Sequence, residues 1–347
     1  MHKAEFEVEA ITPIFMRGAD QDQSQAEIRA SSIKGLMRWW FRALAGNYFG
    51  DDVAGLKKVE DYVFGSTGGR SRVVVELKID NLKYSKSPLP MVWRKDRITK
   101  KTIERLKSNA IEGKFKVCIE SYNNDLLELA FYSLYTLFTL GSIGFRHTRG
   151  AGSIKINAIN YENFKPNVNV SYDFKDKNDF CRKINGTISK IIKATNKIIR
   201  DLANKLNFKP NPVFSDCCRY SALIPNCAGI YVWYKNNGVK DIYYKSDEPS
   251  RPESLLDHFE NKFKSYSNIN YGFENYIFGL PRANKRKYRR ISPMHVGVVK
   301  TNNETFLKII IFKTDPYHPK VKVNWSDLDK FLEDIEAEKI WPEVFKK

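Results

Sequence analysis

The sequence predicts an α+β protein built from two related modules in tandem. Three observations predict it. Residues 1–160 read in the order β-α-β-β-α-β, the ferredoxin-like arrangement. The rest of the chain also mixes helical and strand periodicity. A Phe-Gly turn, a basic loop and a strand occur once in each half. In the first half Val63-Phe64-Gly65-Ser66 precedes Arg70, Arg72 and an apolar strand. In the second, Ile277-Phe278-Gly279-Leu280 precedes Arg282, a cationic run and a strand from Met294. With 347 residues and 42% apolar composition, the chain has material for two cores.

The elements follow in order. Ala4, Phe6, Val8 and Ala10 alternate with Glu5, Glu7 and Glu9, the pattern of a half-buried strand. A polar loop over 17–29 leads into a helix that Ser31 or Ser32 is placed to cap. Ile33, Leu36, Met37, Trp40 and Leu44 form its core-facing stripe. Val73, Val75, Leu77 and Ile79 make a second strand, a basic insertion occupies 83–107, and Phe115, Val117 and Ile119 make a third. A helix over 125–140 and a strand over 153–159 complete the first unit. The apolar stretch 126–145 holds one acid, Glu128. Its Ser, Thr and Tyr content marks a buried helix and not a bilayer span.

Beyond 160 the composition shifts. Residues 161–179, rich in Asn, Lys and Asp, read as a linker or long loop, dividing the chain into units 1–160 and 161–347, the second with insertions. A long helix is expected over 178–206, buried through Ile184, Ile188, Ile191, Ile192, Ile198, Ile199 and Leu202. Strands are expected at 221–224, 229–234, 294–299 and 306–312, and helices at 253–264 and 325–337.

Charge bears on function. Lys and Arg number 58 against 40 Asp and Glu, a formal charge of +18, which favours polyanionic partners: RNA, DNA or an anionic membrane surface. The helix after the polar loop concentrates the signal. Lys34, Arg38 and Arg42 recur every four residues on one face, and no Asp or Glu lies between Ile28 and Gly50. A row of locally unpaired cations suits phosphates repeating along a polymer, where an ordinary solvated face would intersperse acids. Aromatics stand inside basic runs, as at Trp39-Trp40, Trp93-Arg94 and Tyr288, which suits stacking on single-stranded bases.

The segment from Gly141 to Ser153 adds a second candidate. Gly141, Gly144, Gly150 and Gly152 permit close backbone approach to a ligand, and Arg146 and Arg149 put guanidinium groups into the same bend. A plain helix-to-strand turn explains the glycines but not the two arginines between them. The five cysteines form no CxxC pair and the five histidines show no zinc spacing, so reduced thiols in a cytosol and no metal or other cofactor are expected. The chain runs at once into a charged strand, which predicts no signal peptide.

Several of these segments resemble the RAMP superfamily, and within it the first subunits of type III-B CRISPR RNA-silencing (Cmr) complexes. The likeness rests on Thr12-Pro13-Ile14-Phe15, Gly18-Ala19-Asp20, the run from Arg29 through Ser-Ile-Lys-Gly-Leu-Met-Arg-Trp-Trp-Phe to Arg42, Phe64-Gly65-Ser66 and the glycine-rich loop. It covers residues 1–160 well. The second half matches more loosely, through Phe278-Gly279-Leu280 and Ser292-Pro293-Met294. The resemblance implies two ferredoxin-like, RRM-like βαββαβ domains side by side. It also implies a basic cleft for guide or target RNA near the guide's 3′ end, a non-catalytic role, and neighbouring RAMP subunits.

Residues and resemblance together predict single-stranded RNA contacts at Arg29, Lys34, Arg38, Arg42, Arg146, Arg149, Arg282, Arg286, Arg289 and Arg290, in an antiviral ribonucleoprotein with no membrane role. The alternative is a RAMP-type endoribonuclease. Relatives cut RNA either with a histidine or with an aspartate in the loop after the first strand, where this chain has His147 and Asp20 or Asp22 respectively. Against it, the acids sit in a plain polar loop, and His147 has no evident second histidine or lysine in the sequence around it.

Overall fold

The computed structural model of the chain describes residues 1–18, 26–95, 102–214, 219–234, 243–244, 254–270, 293–314 and 325–342, without side chains at 93–95, 102–103 and 264–270. The first sheet takes β1 (His2–Ala10), β2 (Val74–Lys95), β3 (Thr102–Ser121) and β4 (Ile154–Glu162) in the antiparallel order β2-β3-β1-β4. Between β1 and β2 lie α1 (Ala30–Phe49) and α2 (Val53–Phe64), and α3 (Asn124–Thr139) joins β3 to β4. The second sheet takes β5 (Ala228–Trp233), β6 (Met294–Lys300), β7 (Thr305–Phe312) and β8 (Glu338–Trp341) in the order β6-β7-β5-β8. Its helices are α5 (Leu255–Asn270) and α6 (Trp325–Asp334), while α4 (Lys177–Lys205) links the two halves. Each sheet thus places its own strands in the order 2-3-1-4, so both modules are ferredoxin-like. The Phe-Gly segments of the two halves each precede the second strand of their sheet, although 277–280 lies outside the described residues.

The alternation read in β1 holds. Ala4, Phe6 and Val8 are buried against α1 and α3. On the other face Glu5 pairs with Lys78 at 2.8 Å and Lys116 at 3.6 Å, and Glu7 with Lys116 at 2.9 Å. That outer face is a ladder of matched charges. In RNA-recognition domains the corresponding face carries stacking aromatics.

Several expectations are corrected. The basic insertion at 83–107 takes strand structure where it is described. β2 and β3 continue past a bulge at Ile79/Asn81 as a two-stranded arm, because the backbone ladder tolerates the charged side chains that break the apolar alternation. The arm packs against α5, where buried Arg105 meets Asp257 at 2.9 Å and Glu260 at 2.7 Å. Helix α2 was not foreseen; Asp52 caps it by accepting from Gly55 N at 2.9 Å, and Leu56, Val59 and Val63 bury one side. Residues 221–224 form no strand, since Leu223 N instead donates to Ala43 O at 2.8 Å beside the end of α1. Strand β8 was missed and the helix before it is shorter than expected.

Residues 163–176 lack regular structure, yet Phe164, Val168, Val170 and Phe174 are buried in the common core. Glu128, the buried acid of the apolar α3, anchors this segment, accepting from Asn167 N at 2.8 Å and Asn167 Nδ2 at 2.7 Å. Buried carboxylates persist where such donors satisfy them. Helix α4 matches expectation, and its isoleucines join the same core as α1 and α3.

The second sheet is covered on both faces. Leu307, Ile309 and Ile311 face α5 and α6, whereas Phe306, Ile310 and Phe312 belong to the core containing α1, α3 and α4. The modules therefore share one apolar core.

Candidate nucleic-acid interface

Helix α1 begins one residue before Ser31. Its N-cap is Arg29, in extended conformation and without a side-chain cap. Arg29 N lies 3.3 Å from Met16 Sδ and Glu27 N donates to Met16 O at 2.9 Å. Those contacts fix the approach of the chain, so both serines fall within the first turn. The helix then presents three faces. Ile33, Met37, Trp40, Phe41 and Leu44 are buried in the core. Leu36, expected there, is only partly buried.

The cationic face is not an open row. Arg38 Nε donates to Glu60 Oε1 at 2.6 Å, its Nη1 to Gly65 O at 2.8 Å and its Nη2 to Asp61 Oδ1 at 3.3 Å. Arg42 Nη1 reaches both Glu60 oxygens at 3.0 Å, and Lys34 Nζ donates to Val73 O at 3.3 Å. Burial first, then Arg38, lowers the Lys34 pKa. The acids that α1 lacks come from α2, which is why a local reading finds none. Arg38 also fastens the Phe64-Gly65 turn, where Gly65 has φ 81°.

The glycine-rich loop is built for close backbone contact. Ile143 N donates to Gly152 O, Phe145 N to Phe15 O, Gly152 N to Pro13 O and Gly150 N to Val296 O, at 2.6–2.9 Å. A Cβ at Gly152 would stand 1.8 Å from Ile143 O, and its φ is 64°. These N–H groups serve the chain itself, not an anion as the glycine content suggested. Thr12 Oγ1 donates to Gly150 O at 2.8 Å and accepts from Ser153 N at 2.9 Å, so the Thr12-Pro13 motif pins the loop.

The loop is also the seam between modules. Val296 N donates to Thr148 O at 3.1 Å and Val298 N to Ser153 Oγ at 2.9 Å. Lys308 Nζ, buried, donates to Thr139 O at 2.7 Å and Gly141 O at 2.8 Å, where the C-terminal end of α3 favours a cation. Arg149 turns into this seam, with its guanidinium 5.4 Å from the Phe263 ring. Burial first, then Arg146, brings its pKa down to about 10. Arg146, at φ 62°, instead sits at the loop tip, 5.2 Å from the ring of exposed Phe145.

The third face of α1 lines an open groove. Gly35, Leu36, Trp39 and Arg42 face Gly141, His147, Thr148 and His295 across a cavity of 430 Å³. An adjoining cavity of 380 Å³ is lined by Met16, Arg17, Ser32, Leu36, Ser108, Phe145 and His147. Leu36 and His147 border both. The Trp39 and His295 rings stack at 5.0 Å and 27°, and His147 stands edge-on to His295 at 6.3 Å. His147 Nδ1 is 2.9 Å from Gly144 O, and burial lowers its pKa. Residue 295 supplies the second histidine that the sequence around His147 did not show. Arg17, Phe145 and His295 were not singled out beforehand; only the Ser292-Pro293-Met294 likeness pointed toward His295.

Asp20, Asp22, Arg282, Arg286, Arg289 and Arg290 lie outside the described residues. Among the described residues no group of three or more His, Cys, Asp or Glu is placed to hold a metal ion, and no helix is long and apolar enough to cross a membrane.

Comparison with known proteins agrees with both halves. Residues 7–155 match the RAMP superfamily and residues 226–342 match the family described as Cmr1, C-terminal domain. The first module and its glycine-rich loop thus define a RAMP-superfamily protein. The CRISPR system Cmr subunit Cmr1-1 of Pyrococcus furiosus is 31% identical over 343 residues, covering 94% of this chain and 93% of that one. The chain belongs to the Cmr1 family. Cmr1-2 of the same organism is 38% identical over 184 residues, 46% of this chain and 97% of that one. The apo crystal structure of Cmr1 from Pyrococcus furiosus superposes with TM-score 0.63 at 27% identity, covering 98% and 99% of the two chains. A chain of the type III-B Cmr-beta complex bound to cognate target RNA shares the fold, at TM-score 0.56 and 15% identity over 96% and 99%.

Proposed function

We propose that this chain is a non-catalytic, RNA-binding subunit of a type III-B CRISPR effector complex. It holds single-stranded guide or target RNA near the guide's 3′ end and docks beside other RAMP subunits. The observation that carries the reading is the groove between α1 and the glycine-rich loop. It is rimmed by exposed Arg17 and by Phe145 with Arg146, on a chain of charge +18. Cations beside an exposed ring suit phosphates and unstacked bases. The likeness to a chain of an RNA-bound Cmr-beta complex supports it. In this reading units 1–160 and 161–347 act on one strand, with Arg282, Arg286, Arg289 and Arg290 extending the path. Arg29, Lys34, Arg38 and Arg42 add field from the flank of the groove, and Arg149 acts by holding the loop.

The test is ultraviolet crosslinking of the purified chain to labelled single strands and to a guide–target duplex, with the attached peptides identified. Crosslinks in 30–49 and 141–153 are expected. Crosslinks confined to the charged outer face of the first sheet would refute the groove.

The endoribonuclease reading gains one observation, the paired His147 and His295 rings in a single cavity. Two histidines can divide acid and base roles in phosphodiester cleavage. Incubation of labelled RNA with the chain, with and without divalent metal, is expected to leave the strand intact. Products that disappear in His147→Ala, Asp20→Ala or Asp22→Ala would reverse the assignment.

A further inference from the structure

We infer that the 430 Å³ cavity beside Trp39 and His295 takes one nucleobase drawn out of the stack of a bound RNA strand. The proposal rests on RNA binding by this chain and adds what the groove selects: a base, not only a backbone.

The cavity is of the size that encloses small organic ligands, and its lining is of the corresponding kind. One wall is aromatic, the stacked Trp39–His295 pair backed edge-on by Trp40 and Phe312. The floor is main chain at Gly141, and Arg42 stands at the rim. His147 adds a directed polar atom. Its Nδ1 faces the Gly144 carbonyl and so carries the proton, leaving Nε2 of the neutral ring as an acceptor. Space is kept by Gly35, since a Cβ there would meet nothing within 4 Å. A larger residue in the middle of a helix is worth more to helix stability, so an open glycine in α1 leaves room at a cost.

The neighbouring cavity explains why the base leaves its stack. Leu36 and His147 stand between the two cavities and belong to both. A strand crossing this ridge places one nucleotide against Phe145 and Arg17 and the next against Trp39 and His295. The Leu36 side chain then occupies the place of their mutual stacking.

Two oligomers of equal length separate backbone binding from base binding: a ribose–phosphate oligomer without bases, and the same oligomer bearing adenines. The wild-type chain is expected to bind the base-bearing oligomer at least about tenfold more tightly, the scale of one base–aromatic stack. Gly35→Leu should bring affinity for the base-bearing oligomer down to that for the base-free one, with an unchanged melting temperature showing that the variant is folded. Equal affinities in the wild type would overturn the base pocket and leave RNA binding standing. A preference that survives Gly35→Leu would place base recognition elsewhere and likewise overturn it. Binding of neither oligomer would remove the RNA reading itself. Bound adenosine 5′-monophosphate that a saturating base-bearing oligomer fails to displace would make the cavity a free-nucleotide site and refute the strand assignment.

Discussion

Arg38 Nε lies 2.6 Å from Glu60 Oε1, and Glu60 is 5% exposed. This contact joins two features that are 22 residues apart and look unrelated in sequence, the cation row of α1 and the buried acid of α2. Arg42 shares the same carboxylate and Arg38 also binds the Gly65 carbonyl. The cations of α1 are therefore structural first, and any attraction they exert on phosphate is that of a partly neutralised cluster.

Arg38→Ala is accordingly expected to lower stability by roughly 1–3 kcal/mol, the range for removing a charged hydrogen-bond donor from a buried acceptor. Denaturant unfolding measures it. Glu60→Ala should cost at least as much, because it removes the carboxylate that both guanidinium groups share. A wild-type midpoint in both variants would show the cluster to be dispensable.

Phe145 is 56% exposed at the tip of the loop. Phe145→Ala should weaken single-stranded RNA binding by about 1–3 kcal/mol with little change in melting temperature. Arg17→Ala and Arg146→Ala should each reduce the salt slope by roughly 0.7 for every phosphate the arginine neutralises, alike for unrelated sequences. Filter binding across a salt series reads both, and unchanged slopes would remove these two arginines from the RNA path.

Lys308 predicts a pH effect. Burial brings its pKa from 10.5 down to about 7. Between those values the unfolded chain holds a proton that the folded chain has released, so stability rises with pH across that window. From pH 7 to 9 this group alone contributes a gain of about 2 kcal/mol. Lys308→Met should flatten the rise, as unfolding curves at the two pH values will show. Parallel curves for wild type and variant would mean that the ammonium stays charged against the Thr139 and Gly141 carbonyls.

Arg105 tests the arm. With Arg105, Asp257 and Glu260 at 2%, 6% and 1% side-chain exposure, Arg105→Ala leaves two buried carboxylates facing each other. A loss of about 3–5 kcal/mol is expected, with faster amide exchange concentrated in the β2–β3 arm. Uniform exchange along the whole chain would mean that the arm is held mainly by other contacts.

Much of the architecture was legible in the residues. Strict alternation in β1 and the isoleucine stripe of α4 report the periods of strand and helix, which are local properties of the backbone. Strand β8 was missed because it spans four residues, whereas α2 carries a helical signal in the spacing of Leu56, Val59 and Val63. The arm was missed because its pairing is carried by backbone hydrogen bonds, which leave no apolar pattern.

The sequence by itself determined the fold class, the order of most elements, the net charge and the motifs that mark the family. Each is set by neighbours within a few residues or by composition. Only the tertiary structure decided what those motifs face. It supplied the unpaired-looking cations of α1 with a carboxylate from α2 and turned the glycine-loop N–H groups toward Phe15, Pro13 and Val296. It also brought His295 beside His147 across 148 residues. Partners of polar groups are chosen by packing over long separations, where periodicity carries no information and only the shared core of the two modules brings the residues together.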